Sequence, residues 1–123
     1  MAKYNVDGSL SEQSIQETVV QYLTVKGFRR YIIFIPNEGA RTLSYGTKLG
    51  KMGLRKGASD LFIAVARKDF HGMFLELKSA NGKLRPSQRE FLADMEEQKY
   101  FTAVCYSIDS AIEMIDFYLF DKN

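Results

Sequence analysis

The hydrophobic and polar positions along the chain follow two periods, which together predict an order of helices and strands. A period near 3.6 residues indicates helices, whereas short apolar runs or two-residue alternation indicate strands. Residues 10–26 carry a helical apolar stripe that includes Ile15, Val19 and Leu23 and stops before Gly27. The remaining elements are predicted as strands at residues 29–35, 61–66, 73–78 and 102–106 and helices from about residue 86 and over residues 109–119.

The strand at residues 73–78 places two charged side chains on one face of an otherwise apolar segment. Side chains alternate along a strand, so Glu76 and Lys78 lie on the same face. Asp60 opens the apolar run at residues 61–66, which suits a strand buried on both faces. Antiparallel pairing of the two strands brings Asp60 near Glu76 and Lys78. Buried charges need a charged partner, and a hard divalent cation with oxygen ligands meets that need.

Each of these pieces also has a simpler interpretation. An acid-x-Lys triplet occurs by chance in charged chains, and an aspartate before an apolar strand is often only a turn residue. The order of the pieces favours the site, because Asp60, a strand, a turn and a strand bearing Glu76 and Lys78 are followed by a basic turn and a helix.

Two helices carry sequence signals for their amino ends. Ser9 and Glu12 have the spacing of a capping box for the first helix, as do Ser87 and Glu90 for the helix that begins near residue 86. Gln88 then lies in the first turn of that second helix, where free amides and the helix dipole favour anions. We therefore expect a phosphate to bind there.

Glu12 has both a structural and a functional interpretation. As a capping-box residue it has a purely structural task. Its position on the face shared by residues 12, 15, 16, 19 and 23 extends the buried stripe toward the end of the sheet. We expect Glu12 to be the acid of this helix at the site, with Glu17 as the alternative.

Composition indicates one globular domain over residues 1–123. The chain is 46% hydrophobic and 13% aromatic, which suits a packed core better than disorder. It has no long apolar run and no signal-peptide pattern, so we expect a soluble cytoplasmic protein without membrane contact. Cys105 is expected to be a buried strand residue, and one cysteine with one histidine excludes a zinc cluster.

The net charge of +2 conceals a strong asymmetry along the chain. Residues 39–89 contain eleven Lys or Arg against three acids, whereas residues from 90 onward contain two against eight. This pattern favours a basic face for a polyanion, although a solvated surface is the alternative. Residues 41–56 are predicted as a flexible basic loop or a short frayed helix that grips a DNA backbone. The candidate phosphate contacts are Arg41, Lys48, Lys51, Arg55, Lys56, Lys83, Arg85 and Arg89.

Five motifs follow one another over most of the chain. They are Ser11-Glu12-x-x-Ile15-Gln16, Pro36-Asn37-Glu38-Gly39, Gly57-Ala58-Ser59-Asp60-Leu61, Leu75-Glu76-Leu77-Lys78 and Gly82-Lys83-Leu84-Arg85-Pro86-Ser87-Gln88. Together they resemble the virus-type replication-repair nuclease domain, VRR-NUC, of the PD-(D/E)XK nuclease superfamily. One departure is Ala58-Ser59, where the family more often has a Val-Pro or similar pair before the aspartate.

The resemblance implies an α/β restriction-endonuclease-like core, which is a mixed four-stranded sheet flanked by helices in the order α-β-β-β-α-β-α. It also implies hydrolysis of DNA phosphodiesters, with Mg²⁺ or Mn²⁺ and with 5'-phosphate and 3'-hydroxyl products. The expected metal ligands are Asp60, Glu76, the backbone carbonyl of Leu77 and Glu12, which acts directly or through a water. Lys78 is expected to position the water and stabilise the transition state, with a role as base left open.

The same resemblance bears on the surroundings of the site and on the substrate. It places Gln88 beside the metal, where its amide could orient a water or a phosphate oxygen, and Asn37 and Glu38 are further candidates for the rim. It implies a homodimer that cuts branched DNA such as four-way (Holliday) junctions, in a bacterial or phage-infected host cell. The alternatives are a catalytically silent nucleic-acid-binding domain of the same fold and a structural or regulatory protein.

Overall fold

A four-stranded sheet flanked by helices organises the chain, as seen in a computed structural model that describes residues 3–36 and 43–122. The elements in chain order are α1 (Glu12–Val25), a short 3-10 helix (Arg29–Tyr31), β1 (Ile32–Phe34), α2 (Leu43–Lys51), β2 (Leu61–Ile63), β3 (Met73–Leu77), α3 (Pro86–Glu97), β4 (Phe101–Cys105) and α4 (Ile108–Phe120).

The sheet is mixed, with the strand order β1-β2-β3-β4. Strands β1, β2 and β3 pair antiparallel in sequence, whereas β3 and β4 pair parallel through the crossover that contains α3. Leu61 lies opposite Leu75 in the β2–β3 pair, so the residue before β2 faces the end of β3. This is the mixed α/β sheet that the sequence predicts, and its register sets Asp60 opposite Glu76.

Each face of the sheet is covered by helices that bury an apolar layer. Helices α1 and α4 cover one face, where Val19 and Ile115 pack with Leu75 in the larger core cluster. Helix α3 covers the other face, where Phe91 packs against Phe74 with ring centroids 5.1 Å apart. Leu75 and Phe74 therefore point to opposite sides, as the predicted alternation along β3 requires.

The amino end of α1 differs from the predicted capping box at Ser9 and Glu12. The helix begins at Glu12 and its N-cap is Ser11, whose Oγ accepts a hydrogen bond from the Ser14 backbone N–H at 3.1 Å. Ser9 instead donates its backbone N–H to Asp7 at 3.0 Å, within a turn that precedes the helix. The prediction was wrong because two serines lie close together and the preceding turn engages the first of them.

The capping box predicted at Ser87 and Glu90 was also wrong. Helix α3 begins at Pro86, so Ser87 already lies inside the first turn. Proline suits the first helical position because its ring fixes the helical φ and no N–H is needed there. The side chain of Gln88 caps this end, since its Oε1 accepts from the Arg85 backbone N–H at 2.8 Å.

Two predicted strands are shorter in the structure. Arg29–Tyr31 forms the 3-10 helix, so only Ile32–Phe34 of the predicted strand at residues 29–35 pairs with β2. Strand β2 ends at Ile63, because the Val65 N–H turns back to bond the Ile63 carbonyl at 2.9 Å. Within the basic segment at residues 41–56 the structure has the short helix α2.

The apolar residues near the carboxyl end belong mainly to the core. Ile115, Tyr118 and Leu119 are buried, whereas Phe117 and Phe120 are 42% and 45% exposed. Cys105 is a buried residue of β4, as predicted. Over residues 3–36 and 43–122 no helix is long and apolar enough to cross a membrane.

Two buried serines give a matched test of how a buried hydroxyl affects stability with and without hydrogen-bond partners. The Oγ of Ser59 is fully buried and has no hydrogen-bond partner among the described residues. The Oγ of Ser14 is also buried, but it accepts from the Lys3 N–H at 2.6 Å and donates to the Lys3 carbonyl at 3.1 Å. Removing an unsatisfied hydroxyl relieves a desolvation cost, whereas removing a satisfied one leaves its partners unpaired.

We predict that Ser59→Ala raises the free energy of unfolding by about 1 kcal/mol, whereas Ser14→Ala lowers it by about 1 kcal/mol or more. Urea denaturation of the two variants and the wild-type protein measures both changes. Equal destabilisation by the two substitutions would show that the Ser59 hydroxyl is satisfied in the folded protein.

Candidate active site

A cleft of about 890 Å³ lies where the amino end of α1, the end of β1, the entrance to β2, the end of β3 and the first turn of α3 meet. It contains the acids predicted as metal ligands, Asp60, Glu76 and Glu12, together with the predicted Lys78 and Gln88. The side chains or backbone that line it belong to Glu12, Gln13, Gln16, Glu17, Phe34, Ile35, Pro36, Lys56, Gly57, Ala58, Asp60, Glu76, Lys78, Lys83, Arg85, Ser87 and Gln88.

Asp60 and Glu76 lie together in the cleft because of the register of β2 and β3. Asp60 precedes β2, and its Oδ2 accepts a hydrogen bond from the backbone N–H of Leu77 at 2.7 Å. That bond ties Asp60 to the residue directly after Glu76. The sequence therefore predicted the proximity of these two carboxylates.

The carboxylate of Glu76 is almost completely buried, with 2% of the residue exposed. Its Oε2 accepts from the Gln88 Nε2 at 3.1 Å and lies 3.6 Å from the Lys78 Nζ. Its Oε1 is buried and has no hydrogen-bond donor among the described residues. One oxygen of this carboxylate is therefore satisfied and the other is left for an additional partner.

Burial, and after it the negative charge of Asp60, raise the pKa of Glu76 to about 8, although the positive charge of Lys78 opposes the change. The carboxyl of Asp60 also contacts that of Glu76, and Glu12 adds a smaller repulsion. Two ionised carboxylates are both acceptors, so they attract each other only through a shared proton or a cation. A further positive charge, in addition to that of Lys78, would therefore stabilise the two carboxylates.

The donor set suits a hard divalent cation. Mg²⁺ and Mn²⁺ prefer oxygen ligands, and Mg²⁺ is commonly held by one or two carboxylates with water and substrate phosphate completing the shell. Asp60 and the unpartnered Oε1 of Glu76 provide such carboxylate oxygens. Among residues 3–36 and 43–122 no three acidic, histidine or cysteine side chains cluster as a complete metal-binding set. The two carboxylates would therefore share the ion with water and the substrate.

Lys78 is buried at the end of β3, with 5% of the residue exposed. Its backbone N–H donates to the Cys105 carbonyl at 2.9 Å, which extends the parallel pairing with β4. The ammonium thus reaches the cleft from a fixed backbone and lies beside Glu76. An ammonium in this place can donate to a water or a phosphate oxygen that approaches the two carboxylates.

Gln88 contributes to the site in a way that the sequence did not predict in detail. Its side-chain amide is held at both ends, by the Arg85 N–H on Oε1 and by the Glu76 carboxylate on Nε2. The residue was predicted to orient a water or a phosphate oxygen. The structure shows that its amide fixes the orientation of Glu76, and finding this contact required the packing of α3 against β3.

The acidic residues of α1 stand at the edge of the site. Glu12 and Glu17 are both exposed and both line the cleft. Either residue could therefore be the acid that α1 contributes to the site. Glu17 accepts a hydrogen bond from the Gln13 Nε2 at 2.9 Å. Of these two glutamates, Glu12 is the one that helps to raise the pKa of Glu76, which favours Glu12 as the acid nearer to the carboxylate pair.

The predicted phosphate contacts divide into four groups. Lys56, Lys83 and Arg85 line the cleft, whereas Arg55 forms an ion pair with Asp94 at 2.7 Å. Three others are exposed residues of α2 and α3 that do not line the cleft, namely Lys48, Lys51 and Arg89. Arg41 lies outside the described residues, as do the two predicted rim residues Asn37 and Glu38.

Comparisons with known proteins identify the family to which the chain belongs. The profile of the VRR-NUC domain family matches residues 10–109. A solved structure described as a VRR_NUC domain protein has the same fold with a TM-score of 0.80 and 26% sequence identity, over 90% of this chain and 89% of that one. No curated protein matches the chain in sequence. Because the family profile covers most of the chain, the protein belongs to the VRR-NUC family and has a nuclease-type domain of the PD-(D/E)XK superfamily.

Proposed function

We propose that this protein is a metal-dependent DNA endonuclease that hydrolyses phosphodiester bonds in the cleft. The observation that carries the proposal is the buried carboxylate of Glu76, whose Oε1 lacks a donor among the described residues and which contacts the carboxyl of Asp60. Burying two neighbouring acids costs desolvation and repulsion, and a purely structural role would not offset that cost. A cation held between the two carboxylates would offset it.

Mg²⁺ or Mn²⁺ would be held by Asp60 and Glu76, with the backbone carbonyl of Leu77 as a further ligand and Glu12 acting directly or through a water. Such an ion acidifies a bound water and neutralises charge that develops on the phosphate. The protein supplies a rigid frame for this chemistry, because both carboxylates are attached to paired strands.

The neighbouring side chains have separate tasks in this proposal. Lys78 donates to the attacking water or to a non-bridging phosphate oxygen, and Gln88 holds the Glu76 carboxylate in one orientation. Lys56, Lys83 and Arg85 lie along the cleft where they can bind phosphates on either side of the scissile bond. These contacts are to the backbone of the nucleic acid and carry no sequence information.

Branched DNA is the substrate that we propose. The chain is small and its cleft cations address phosphates, so recognition by backbone shape is favoured over base reading. Four-way junctions and a homodimer with two symmetry-related sites are proposed from the family resemblance, as are 5'-phosphate and 3'-hydroxyl products.

A catalytically silent DNA-binding domain is the second candidate. It is favoured by one observation, that the described residues contain no complete cluster of three metal-binding side chains. In that case the cleft would bind DNA through its cations, and removing an acid would strengthen binding because repulsion of the phosphates is lost.

We predict that Asp60→Asn and Lys78→Met each lower cleavage by about 100-fold or more while leaving DNA affinity near that of the wild-type protein. The measurement is cleavage of labelled linear, flap and four-way-junction DNA with Mg²⁺, Mn²⁺ or EDTA, beside a binding assay. Glu113→Gln is the control, because Glu113 is an exposed acid of α4 that does not line the cleft.

Cleavage by the wild-type protein with Mn²⁺ or Mg²⁺ and none with EDTA supports the proposal. DNA binding without cleavage under every condition, together with tighter binding by Asp60→Asn, would instead support the silent domain.

The raised pKa of Glu76 predicts a dependence of stability on pH. The folded protein holds this proton up to a pH of about 8, whereas an unfolded glutamate releases it near 4.5. The stabilising contribution is therefore fully present below pH 4.5 and is lost as the pH rises through about 8. In the absence of metal, we expect the unfolding free energy of the wild-type protein to fall by a few kcal/mol over this pH range. Glu76→Gln should not show this fall, because glutamine does not titrate.

Urea denaturation in EDTA at several pH values measures this difference between the wild-type protein and Glu76→Gln. Added Mn²⁺ should raise wild-type stability more at pH 8 than at pH 5.5, because the ion competes with the proton for Glu76. Parallel pH profiles of the two proteins would contradict the buried, proton-binding carboxylate.

A further inference from the structure

The loop that precedes Asp60 touches the first turn of α3 through Gly57. This glycine is buried and has a φ of +87°, which L side chains rarely adopt. A Cβ at this position would lie within 3.0 Å of the Ser87 carbonyl oxygen, the Ser87 carbonyl carbon and the Gln88 backbone nitrogen. All three neighbours are backbone atoms, so no flexible side chain can move aside to accept it.

The contact joins two segments that hold the Glu76 carboxylate from different directions. Three residues after Gly57, Asp60 contacts the carboxyl of Glu76 and is fixed by the Leu77 N–H. On the other side of the contact, Gln88 donates its amide to Glu76. The separation between the loop and the helix therefore sets how the acid and the amide meet around Glu76.

We propose that Gly57 is a positioning residue of the active site, whose lack of a side chain lets the first turn of α3 approach closely enough for Gln88 to orient Glu76. The proposal rests on the nuclease function above and adds a residue to it. A side chain at position 57 would push the turn outward and break the amide contact. A displacement of about 1 Å in a catalytic group costs about 100-fold in rate.

Gly27 provides a matched control. It also has a positive φ, of +93°, but a Cβ there would meet nothing within 4 Å, and it does not line the cleft. Gly27→Ala and Gly57→Ala therefore introduce the same kind of backbone strain, and only the second introduces the clash with α3. Any difference in cleavage rate between the two variants that their stabilities do not explain therefore arises from the contact between position 57 and α3.

The experiment compares both alanine variants with the wild-type protein, after circular dichroism has shown that they are folded. We expect single-turnover cleavage to fall about 100-fold in Gly57→Ala and to stay near the wild-type rate in Gly27→Ala. In a Gln88→Ala background, Gly57→Ala should cause little further loss, because both substitutions remove the same contact. Equal rates for the two glycine variants, or the full loss repeated in the Gln88→Ala background, would overturn the proposal.

A second readout does not depend on cleavage. Nuclear Overhauser effects between the Gln88 side-chain amide protons and the Glu76 side chain should be present in the wild-type protein and in Gly27→Ala, but lost in Gly57→Ala. If the wild-type protein cuts no DNA, the nuclease function fails while these effects still decide the role of Gly57. Should Gly57→Ala not fold, a nuclear Overhauser effect between the Gly57 α-protons and the Gln88 backbone amide proton supports the contact, and its absence overturns it.

Discussion

The burial of the Glu76 carboxylate is the constraint on which the rest of the site depends. An ionised carboxylate in a protein interior is costly unless its charge and its hydrogen-bonding capacity are both satisfied. Lys78 and Gln88 satisfy one oxygen, and the other has no donor among the described residues. The result is a pKa raised to about 8 and a site that favours binding of a cation.

The fold supports this arrangement by attaching each group to a different rigid element. Asp60 is fixed at the entrance to β2 by the Leu77 N–H, and Glu76 and Lys78 extend from β3, which is hydrogen-bonded to strands on both sides. Gln88 comes from the first turn of α3, which Gly57 contacts at close range. A mixed sheet with a helical crossover after β3 brings all of these elements to one edge.

Much of this site could be predicted from local sequence, because strands have a simple periodicity. The alternation along residues 73–78 placed Glu76 and Lys78 on one face, and the polar connection before it predicted the pairing that brings Asp60 close. The helix starts were less predictable, since Ser9 and Ser11 are both plausible caps and Pro86 decides the start of α3. Contacts between distant segments could not be predicted, among them the ion pair of Arg55 with Asp94 and the approach of Gly57 to Ser87.

Anomalous diffraction from a crystal of the protein soaked in Mn²⁺ tests the central claim most directly. The claim requires a manganese peak between the carboxylates of Asp60 and Glu76, at distances of about 2.0–2.4 Å from their oxygens. The same soak of Glu76→Gln should lose the peak. A well-ordered Asp60 and Glu76 without manganese between them, or with the ion bound only elsewhere, would contradict it.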